Sequence, residues 1–348
     1  MLNNKSILIT GGTGSFGKKF VQIVLNTYKP KRLIVFSRDE LKQFEMAQKF
    51  SPHEHPCLQY VLGDVRDKER LDRVFEGVDY VVHAAALKQV PAAERNPDEY
   101  IKTNVSGAIN VIDAALNNNV KKVIALSTDK ACNPINLYGA TKLCSDKLFV
   151  AQGHLHEADR TKFAVVRYGN VLGSRGSVVP FFKERSRTGV LPITDPHMTR
   201  FWITLDQAVH FVIMSLARAK GGEIFVPRIP SMKIMDLARA IAPECKHEIV
   251  GIRPGEKIDE TLISEDEARN CVAFEECFIV QNDEKMREAL INDNLNGKKG
   301  KQCKSDFRFS SEKNDRWLTI DELKDMVNRI ADDFKIEESR WSMDDVPE

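Results

Sequence analysis

A glycine-rich turn near the start of the chain constrains its fold more than any other feature. An apolar run, Ser6-Ile-Leu-Ile-Thr10, leads directly into Gly11-Gly12-Thr13-Gly14-Ser15-Phe16-Gly17, and a helical pattern follows. Glycines with this spacing allow a tight turn and let the backbone approach a pyrophosphate at the helix N-terminus. The turn therefore predicts a dinucleotide-binding site. A glycine turn also occurs in ordinary strand–helix connections, so the surrounding sequence has to distinguish a cofactor-binding turn from an ordinary one.

Further apolar runs alternate with helix-length segments through the first half of the chain. They are Arg32–Phe36, Leu58–Leu62, Tyr80–Ala84, Lys122–Leu126 and Phe163–Arg167, and Glu223–Val226 is a candidate for one more strand. This alternation is typical of βαβ units with right-handed crossovers. We therefore predict an α/β fold, a doubly wound parallel (Rossmann) sheet that binds ligands at the carboxyl ends of its strands.

The second half is less regular and predicts a smaller C-terminal substrate-binding domain. We expect the sheet domain to span 1–170 plus 205–228, the substrate-binding domain 171–204 plus 229–338, and a tail 339–348. Capping boxes at 204–207 and 319–322 predict two helix starts. Residues 282–305 are charged and poor in apolar side chains, which indicates a loop or linker.

Charge and cysteine content exclude several classes of protein. Lys and Arg number 51 against 50 Asp and Glu, a net charge of +1, whereas nucleic-acid-binding proteins carry a basic excess. No run of about 18 apolar residues is present, so we expect no membrane span, and the N-terminus lacks the apolar segment of a signal peptide. Seven scattered cysteines without a CxxC pair predict free thiols in a reducing cytoplasm and no metal site.

The end of the second predicted strand bears on the choice of cofactor. Folds that prefer NAD place a carboxylate there to bind the ribose 2′-hydroxyl, whereas this chain has Ser37 and Arg38, with Lys42 one turn later. A hydroxyl and two cations suit a 2′-phosphate, so we predict NADP. Asp39 is a carboxylate close to this position, so NAD stays open as the alternative cofactor. Asp64, after the third strand, is placed for the adenine edge, and Ala84-Ala85-Ala86 either admits the cofactor or simply packs.

A candidate catalytic group lies at the end of the fifth predicted strand and in the helical segment that follows it. Ser127 and Thr128 end the strand, and Tyr138 and Lys142 stand four apart, on one face of a helix. A free tyrosine titrates near pH ~10 and is a poor base at neutral pH. A nearby lysine and the oxidised nicotinamide would both favour the phenolate. Such a pair recurs by chance in many helices, but here it follows a glycine turn and lies close to Thr128.

These elements together resemble the extended short-chain dehydrogenase/reductase family. Within it, Ala86–Pro91, Leu126–Ala131, Asn133–Lys142, Arg167–Asn170, Gly173–Ser177, Thr194–Phe201 and Gly251–Lys257 resemble the inverting UDP-N-acetylglucosamine 4,6-dehydratases that open pseudaminic acid synthesis. The resemblance covers roughly residues 5–335. It implies a lyase of polysaccharide biosynthesis and flagellin glycosylation, acting on UDP-N-acetylglucosamine with NADP as a cytoplasmic homo-oligomer, a hexamer in relatives.

The pair Asp129-Lys130 separates dehydration from epimerisation within this family. Members that retain the C5 configuration carry Asp-Glu after the threonine, and epimerases need neither residue. The resemblance implies that Tyr138 takes the C4 hydroxyl proton as hydride passes to NADP⁺. Lys130 then takes the C5 proton, Asp129 protonates the departing C6 hydroxyl, hydride returns to C6, and C5 is reprotonated on the opposite face. Lys130 must be neutral to act as a base, so its pKa should be lowered by burial or by a nearby cation. Lys88 is an alternative participant in the proton transfers.

Family motif positions also indicate binding residues. For the substrate they are Lys88, Asn170, Arg175, Thr194, Met198, Arg200, Arg253 and Glu256, with the arginines expected at the diphosphate and uridine. For the cofactor they are Gly11, Thr13, Gly14, Ser15, Phe16, Gly17, Ser37, Arg38, Asp39, Lys42, Asp64, Val65, Ala85, Lys88, Thr103, Tyr138, Lys142 and Val171. Arg200 also suits a packing or capping role.

Two other functions stay open. A UDP-sugar 4-epimerase would use the same Tyr138 and the same cofactor turn without eliminating water. A non-catalytic NADP-binding regulator would need none of Thr128, Tyr138 and Lys142, so their presence argues against that class.

Overall fold

A parallel β-sheet lies at the centre of the protein. The computed structural model describes residues 1–155, 161–173, 177–292, 294–295 and 298–338. The parallel strands are β1 Ser6–Thr10, β2 Arg32–Ser37, β3 Leu58–Leu62, β4 Tyr80–His83, β5 Lys122–Thr128 and β6 Lys162–Tyr168. They are ordered β3-β2-β1-β4-β5-β6, so the chain reverses direction across the sheet between β1 and β4. The predicted doubly wound α/β fold is confirmed, and in folds of this kind ligands bind at such a switch point.

Helices cover both faces of the sheet, because side chains on both faces of β1 and β6 are buried. The helices of this half are α1 Ser15–Thr27, α2 Glu40–Lys49, α3 Lys68–Val74, α4 Val90–Arg95, α5 Pro97–Tyr100, a π-helical turn Ile101–Ser106, α6 Gly107–Asn117, a 3₁₀ turn Asp129–Ala131 and α7 Leu137–Leu155. Aspartates cap two of them: the side chains of Asp39 and Asp67 accept hydrogen bonds from the first turns of α2 and α3. Local sequence therefore sets where these helices begin.

The sheet continues beyond β6. The predicted additional strand is β10 Glu223–Pro227, which pairs with β6 in parallel. Before it, α9 Leu205–Arg218 begins at the predicted capping box of Thr204 and Gln207. Three antiparallel strands that the sequence did not indicate follow β10: β15 Cys277–Gln281, β14 Cys271–Ala273 and β18 Lys301–Gln302.

The interpretation of residues 282–305 as a loop or linker is wrong. The segment holds α12 Glu284–Asn292 and the short strands β16 Asn294–Leu295 and β17 Lys298–Lys299, besides β18. Only a narrow side of α12 packs inward, through the buried Leu290, so the apolar content stays low. The predicted domain bounds remain a prediction, although residues 271–302, which they give to the substrate-binding domain, contribute strands to the large sheet.

A second, smaller hydrophobic core lies beside the sheet domain. The elements around this core and the last short elements are β7 Asn170–Val171, α8 Val178–Ser186, β8 Val190–Ile193, β9 Thr199–Ile203, β11 Ser231–Lys233, α10 Ile234–Ile241, β12 Lys246–Ile249, β13 Thr261–Ile263, α11 Glu265–Ala268, β19 Phe309–Ser310, a 3₁₀ turn Ser311–Lys313 and α13 Ile320–Glu338. Thr319 and Glu322 form the predicted capping box, and Leu323 and Val327 of α13 are buried. The predicted tail lies outside the described residues. Within the described ranges, no helix is both long and apolar enough to cross a membrane.

Candidate active site

The glycine turn forms a close backbone cradle at the start of α1. Gly11 has a φ of +66°, and a Cβ there would lie 2.9 Å from the Cα of Ala85. A Cβ on Gly17 would lie 2.2 Å from the carbonyl oxygen of Gly12. Gly14 is the N-cap residue of α1, and the helix has neither a side-chain cap nor an acidic residue in its first turn. An anion can therefore reach the backbone N–H groups, and the cradle fits the pyrophosphate of a dinucleotide.

The residues predicted at the adenosine end lie together after β2 and β3. Arg38 Nη1 is 3.6 Å from Asp64 Oδ2. The Asp39 carboxylate accepts from the Lys42 backbone at 3.0 Å and pairs with the Lys42 ammonium. These hydrogen bonds lower the pKa of Asp39. Two cations and the hydroxyl of Ser37 thus border this end, and Asp39 is already engaged by Lys42.

The remaining predicted cofactor residues lie in several different elements and loops. Ser15 and Phe16 start α1, Val65 follows β3, Ala85 and Lys88 follow β4, Thr103 lies in the π-helical turn, and Val171 lies in β7. The Thr103 hydroxyl is buried and has no partner among the described residues. Such an unpartnered group is costly unless a ligand binds it, which fits a cofactor contact.

Tyr138, Lys142 and Thr128 meet where α7 packs against the end of β5. The Tyr138 hydroxyl shares a hydrogen bond with Thr128, and burial raises the pKa of Tyr138 to about 12, although Lys130 and Thr128 oppose that shift. Lys142 is buried one turn below, where desolvation lowers its pKa despite Asp146. The three residues predicted for hydride chemistry are thus together, with Tyr138 as a phenol at neutral pH before ligands bind.

Asp129 and Lys130 occupy the 3₁₀ turn directly after Thr128 and are not a solvated surface pair. Asp129 is 1% exposed, and its Oδ1 accepts from Thr128 Oγ1 at 2.9 Å and from Lys130 Nζ at 3.1 Å. Burial lowers the pKa of Lys130, but Asp129 and Glu260 raise it by more, so the net shift is upward. The expectation of a lowered Lys130 pKa is therefore wrong: two carboxylates contact the amine, and they outweigh its desolvation.

Glu260, just before β13, is a site residue that sequence reasoning missed. Its Oε1 lies 3.2 Å from Lys130 Nζ, and the residue is 2% exposed. It stands far along the chain from the Thr-Asp-Lys segment, three residues after the Gly251–Lys257 motif, and no spacing rule links the two. Only the fold brings β13 beside the 3₁₀ turn.

Asn104 is a second residue that the sequence did not reveal. Its side chain donates to Leu87 O, accepts from Leu87 N, each at 2.9 Å, and donates to Thr141 Oγ1 at 3.0 Å. It thereby fastens the loop after β4 to α7, three residues from Tyr138. Lys88 stands next in this loop, exposed at its surface, and the surrounding protein lowers its pKa by desolvation.

Two of the predicted uridine and sugar contacts lie in the loop between β12 and β13. Arg253 pairs with Glu256, and hydrogen bonds from Arg253 outweigh burial and lower the pKa of Glu256. Asn136 Nδ2 donates to Gly255 O at 2.7 Å and Lys257 Nζ to Cys132 O at 2.9 Å. This loop is therefore fastened beside the catalytic turn.

The other predicted substrate residues differ in how free they are to bind. Asn170 Oδ1 is buried without a partner among the described residues, which fits a ligand contact. Arg200 donates to the carbonyls of Thr199, Ile258 and Lys257 at 2.7–2.9 Å and to Met198 Sδ at 3.4 Å, so most of its hydrogen-bonding capacity is used within the protein. Met198 is buried, Thr194 directly follows β8, and Arg175 lies outside the described residues.

A buried ion-pair network supports α7 from behind. Asp146 accepts from Ser127 Oγ at 2.7 Å and from Arg167 Nη2 at 3.3 Å, and Arg167 Nη1 donates to both oxygens of Glu267 at 2.9 Å. Asp146 stands one turn after Lys142. The network therefore ties α11 to the helix that carries Tyr138 and Lys142.

The chain is similar to several known proteins. A family model described as "Polysaccharide biosynthesis protein" matches residues 7–282. The UDP-N-acetylglucosamine 4,6-dehydratase (inverting) of Campylobacter jejuni is 55% identical over 332 residues, which cover 94% of this chain and 98% of that protein. A UDP-glucose 4-epimerase of Rickettsia conorii is 45% identical over 275 residues, which cover 77% of this chain and 80% of the epimerase.

Solved structures give the same fold. Pen from Bacillus thuringiensis has a TM-score of 0.85 at 35% identity, covering 94% of this chain and 98% of that one. A double mutant of DesIV, a dTDP-glucose 4,6-dehydratase from Streptomyces venezuelae with NAD bound, has a TM-score of 0.65 at 24% identity, covering 72% and 86%. At 24% identity, the similarity to DesIV supports the fold alone.

Proposed function

The chain belongs to the polysaccharide biosynthesis protein family of extended short-chain dehydrogenases/reductases, and we propose that it is a UDP-N-acetylglucosamine 4,6-dehydratase that inverts C5. One observation carries the proposal: a lysine, Lys130, stands between two buried carboxylates beside Thr128 and Tyr138. An epimerase needs only the hydride-transfer residues, whereas elimination of water also needs an acid and a base at C5 and C6.

Oxidation at C4 is the task of Tyr138, Thr128 and Lys142. A cofactor bound in the glycine cradle would supply the hydride chemistry of the reaction, which removes hydride from C4 and later delivers it to C6. Tyr138 takes the C4 hydroxyl proton, and Thr128, which shares a hydrogen bond with it, orients the same hydroxyl. Lys130 and the hydrogen bond to Thr128 already oppose the rise in the Tyr138 pKa, and the positive charge of a bound oxidised nicotinamide would lower that pKa further.

Elimination is the task of the Asp129–Lys130 pair. The new C4 ketone acidifies the C5 proton, Lys130 removes that proton, and Asp129 protonates the departing C6 hydroxyl. The 3.1 Å contact between the two side chains supports this assignment, because an acid and a base that lie side by side can serve C5 and the exocyclic C6 bonded to it. Lys88, whose pKa is lowered, is the alternative participant in the proton transfers.

NADP is the proposed cofactor. Arg38 and Lys42 supply positive charge where a ribose 2′-phosphate would lie, and Asp39 is already engaged by Lys42. A 2′-phosphate gains charge-assisted hydrogen bonds from such groups, whereas a 2′-hydroxyl gains less.

UDP-N-acetylglucosamine is the proposed substrate. Arg253 and Glu256 in the fastened loop suit the uridine diphosphate, and the unpartnered Asn170 Oδ1 suits the sugar or phosphate. The seven cysteines are free thiols, which supports the cytoplasm as the site of action. We also propose a homo-oligomer whose product enters pseudaminic acid-type synthesis.

A UDP-sugar 4-epimerase is the second candidate, because the Rickettsia conorii relative carries that name at 45% identity. Incubation with UDP-N-acetylglucosamine, followed by mass and NMR analysis, separates the two. A product lighter by one water, with a 4-keto group and a C6 methyl, supports the dehydratase. A product of unchanged mass with an inverted C4 hydroxyl supports the epimerase.

A further inference from the structure

Glu260 is held against Lys130 by the backbone of its own segment. Its N–H donates to Ser311 Oγ at 2.9 Å, and Ser311 N–H donates to its carbonyl at 2.8 Å. Its Oε1 lies 3.2 Å from Lys130 Nζ, inside the protein. The carboxylate is therefore a fixed neighbour of the amine.

Lys130 thus joins two buried carboxylates. Asp129 Oδ1 contacts the same Nζ at 3.1 Å and also accepts from Thr128 Oγ1. The second oxygens, Asp129 Oδ2 and Glu260 Oε2, are both buried and have no partner among the described residues. Two ionised carboxylates with unpartnered buried oxygens are costly, so such a group favours keeping a proton on one of them.

Three cations, Lys130, Arg200 and Lys257, meet the two carboxylates in this group. The titratable and charged residues that face Lys130 and Glu260 are Asp129, Tyr138, Arg200 and Lys257. Arg200 Nε is 4.0 Å from Glu260 Oε1, and carbonyl groups hold the rest of its guanidinium in place. Burial raises the pKa of Glu260, and the nearby cations only partly oppose it.

This inference rests on the proposed function. We propose that Glu260 is a positioning residue that accepts the proton of Lys130. Lys130 is then the neutral amine that removes the C5 proton. One N–H bond of the ammonium breaks and one O–H bond forms at Glu260. The amine then takes the C5 proton, and protonated Asp129 gives its proton to the leaving C6 hydroxyl. One proton passing from Glu260 to Asp129 through Lys130, which contacts both, restores the starting state.

This role resolves the conflict between a protonated Lys130 and its use as a base. Asp129 cannot be the acid at C6 and at the same time the group that discharges Lys130. Glu260 supplies the second carboxylate, and the resting ammonium needs no exchange with solvent before C5 is attacked. The elimination rate should therefore change little with pH near neutrality.

The test is Glu260→Gln, which keeps the shape of the side chain and removes the proton acceptor. We expect C4 oxidation, followed as reduced cofactor, to persist, while elimination at neutral pH falls by about 10²-fold or more. The remaining elimination should rise about tenfold per pH unit, because Lys130 must now lose its proton to solvent. Glu260→Asp restores a carboxylate and should recover part of the rate and the flat profile.

Glu223→Gln is the matched control. Glu223 is also buried, but its carboxylate accepts from the backbone of Lys220 and Gly221 at the start of β10. Glu223→Gln should therefore show only the effect of neutralising a buried glutamate, and its elimination rate should depend on pH as in the wild type.

Several results would overturn the role of Glu260. Elimination by Glu260→Gln at the wild-type rate is one, and a slower rate with an unchanged pH profile is another, since it would mean a structural role. If Glu260→Gln does not fold, Glu260→Asp is the deciding variant. A slower elimination rate that does not change with pH supports proton transfer from Lys130 to Glu260, and an elimination rate that rises with pH refutes it. Failure of the wild type to form any 4-keto product would instead refute the proposed function.

Discussion

A Cβ at Gly139 would lie 2.2 Å from the carbonyl oxygen of Lys130. Side-chain carbons do not approach a backbone oxygen so closely, so only glycine lets α7 press against the 3₁₀ turn after β5. This contact sets the distance between the phenol of Tyr138 and the Asp129–Lys130 pair. The spacing of the two catalytic groups therefore depends on a residue with no side chain.

Gly139→Ala should cost both stability and turnover. The added methyl group has to displace α7 or the 3₁₀ turn, and overpacking of this kind costs ~1–3 kcal/mol. We expect a lower unfolding midpoint together with a large loss of kcat. Cys144→Ala, at an exposed position of the same helix, is the control and should change neither quantity. Wild-type turnover in Gly139→Ala would contradict the proposed packing constraint.

Lys130→Ala should separate the two halves of the reaction. Tyr138, Thr128 and Lys142 remain, so C4 oxidation should continue, whereas loss of the base should slow elimination by ~10²–10⁴-fold. Stopped-flow absorbance of the reduced cofactor and NMR of the sugar measure the two steps. Lys147→Ala, at an exposed position of α7, is the control. Unchanged product formation in Lys130→Ala would remove this lysine from the mechanism.

Arg38→Ala should weaken NADP⁺ binding and leave NAD⁺ binding nearly unchanged. A hydrogen bond to a charged group contributes ~1.5–3 kcal/mol, which corresponds to about tenfold or more in Kd. Calorimetric titration with each cofactor checks this, with Arg73→Ala on the exposed surface of α3 as control. Equal losses for both cofactors, or tighter NAD⁺ binding by the wild type, would refute the NADP assignment.

Asp79→Asn should lower stability in a way that depends on pH. Burial raises the pKa of Asp79, but hydrogen bonds from Lys121 Nζ at 2.7 Å and Ser6 N at 2.9 Å lower it by more. A carboxylate whose pKa is lower in the folded state stabilises the fold above its unfolded pKa of about 3.9, and that contribution is lost as the pH falls.

Chemical unfolding of wild type and Asp79→Asn between about pH 3 and pH 7 measures the effect. The difference in free energy of unfolding should be ~1 kcal/mol at neutral pH and should shrink toward the acid end. Asp306→Asn, at an exposed position, serves as control. A difference that grows as the pH falls would contradict the assigned direction.

Local patterns predicted the sheet domain well because they act over short stretches of chain. The apolar runs of β1 and β3 match the observed strands, and the capping boxes at Thr204 and Thr319 mark real helix starts. Strands β14 and β15 escaped prediction because β14 is only three residues long, and because β15 joins the large sheet only by pairing with the distant β10. Helix α12 escaped it because most of its surface is polar.

The candidate site likewise contains some residues that the sequence revealed and others that only the structure revealed. Thr128, Asp129, Lys130, Tyr138 and Lys142 lie within fifteen residues of chain, so motif spacing could reveal them. Glu260 and Asn104 act through contacts that only the fold creates, at 3.2 Å to Lys130 and 2.9 Å to Leu87. The pKa of Lys130 is raised first by Asp129 and then by Glu260, and the sequence did not reveal the second carboxylate.

The decisive measurement is NMR of the product formed from UDP-N-acetylglucosamine in D₂O. A base at C5 that works with an acid at C6 predicts a 4-keto-6-deoxy sugar with solvent deuterium at C5, inverted C5 configuration, and the original C4 hydrogen at C6. A product with retained configuration at C5, or without deuterium there, would contradict the assignment of Lys130 and Asp129.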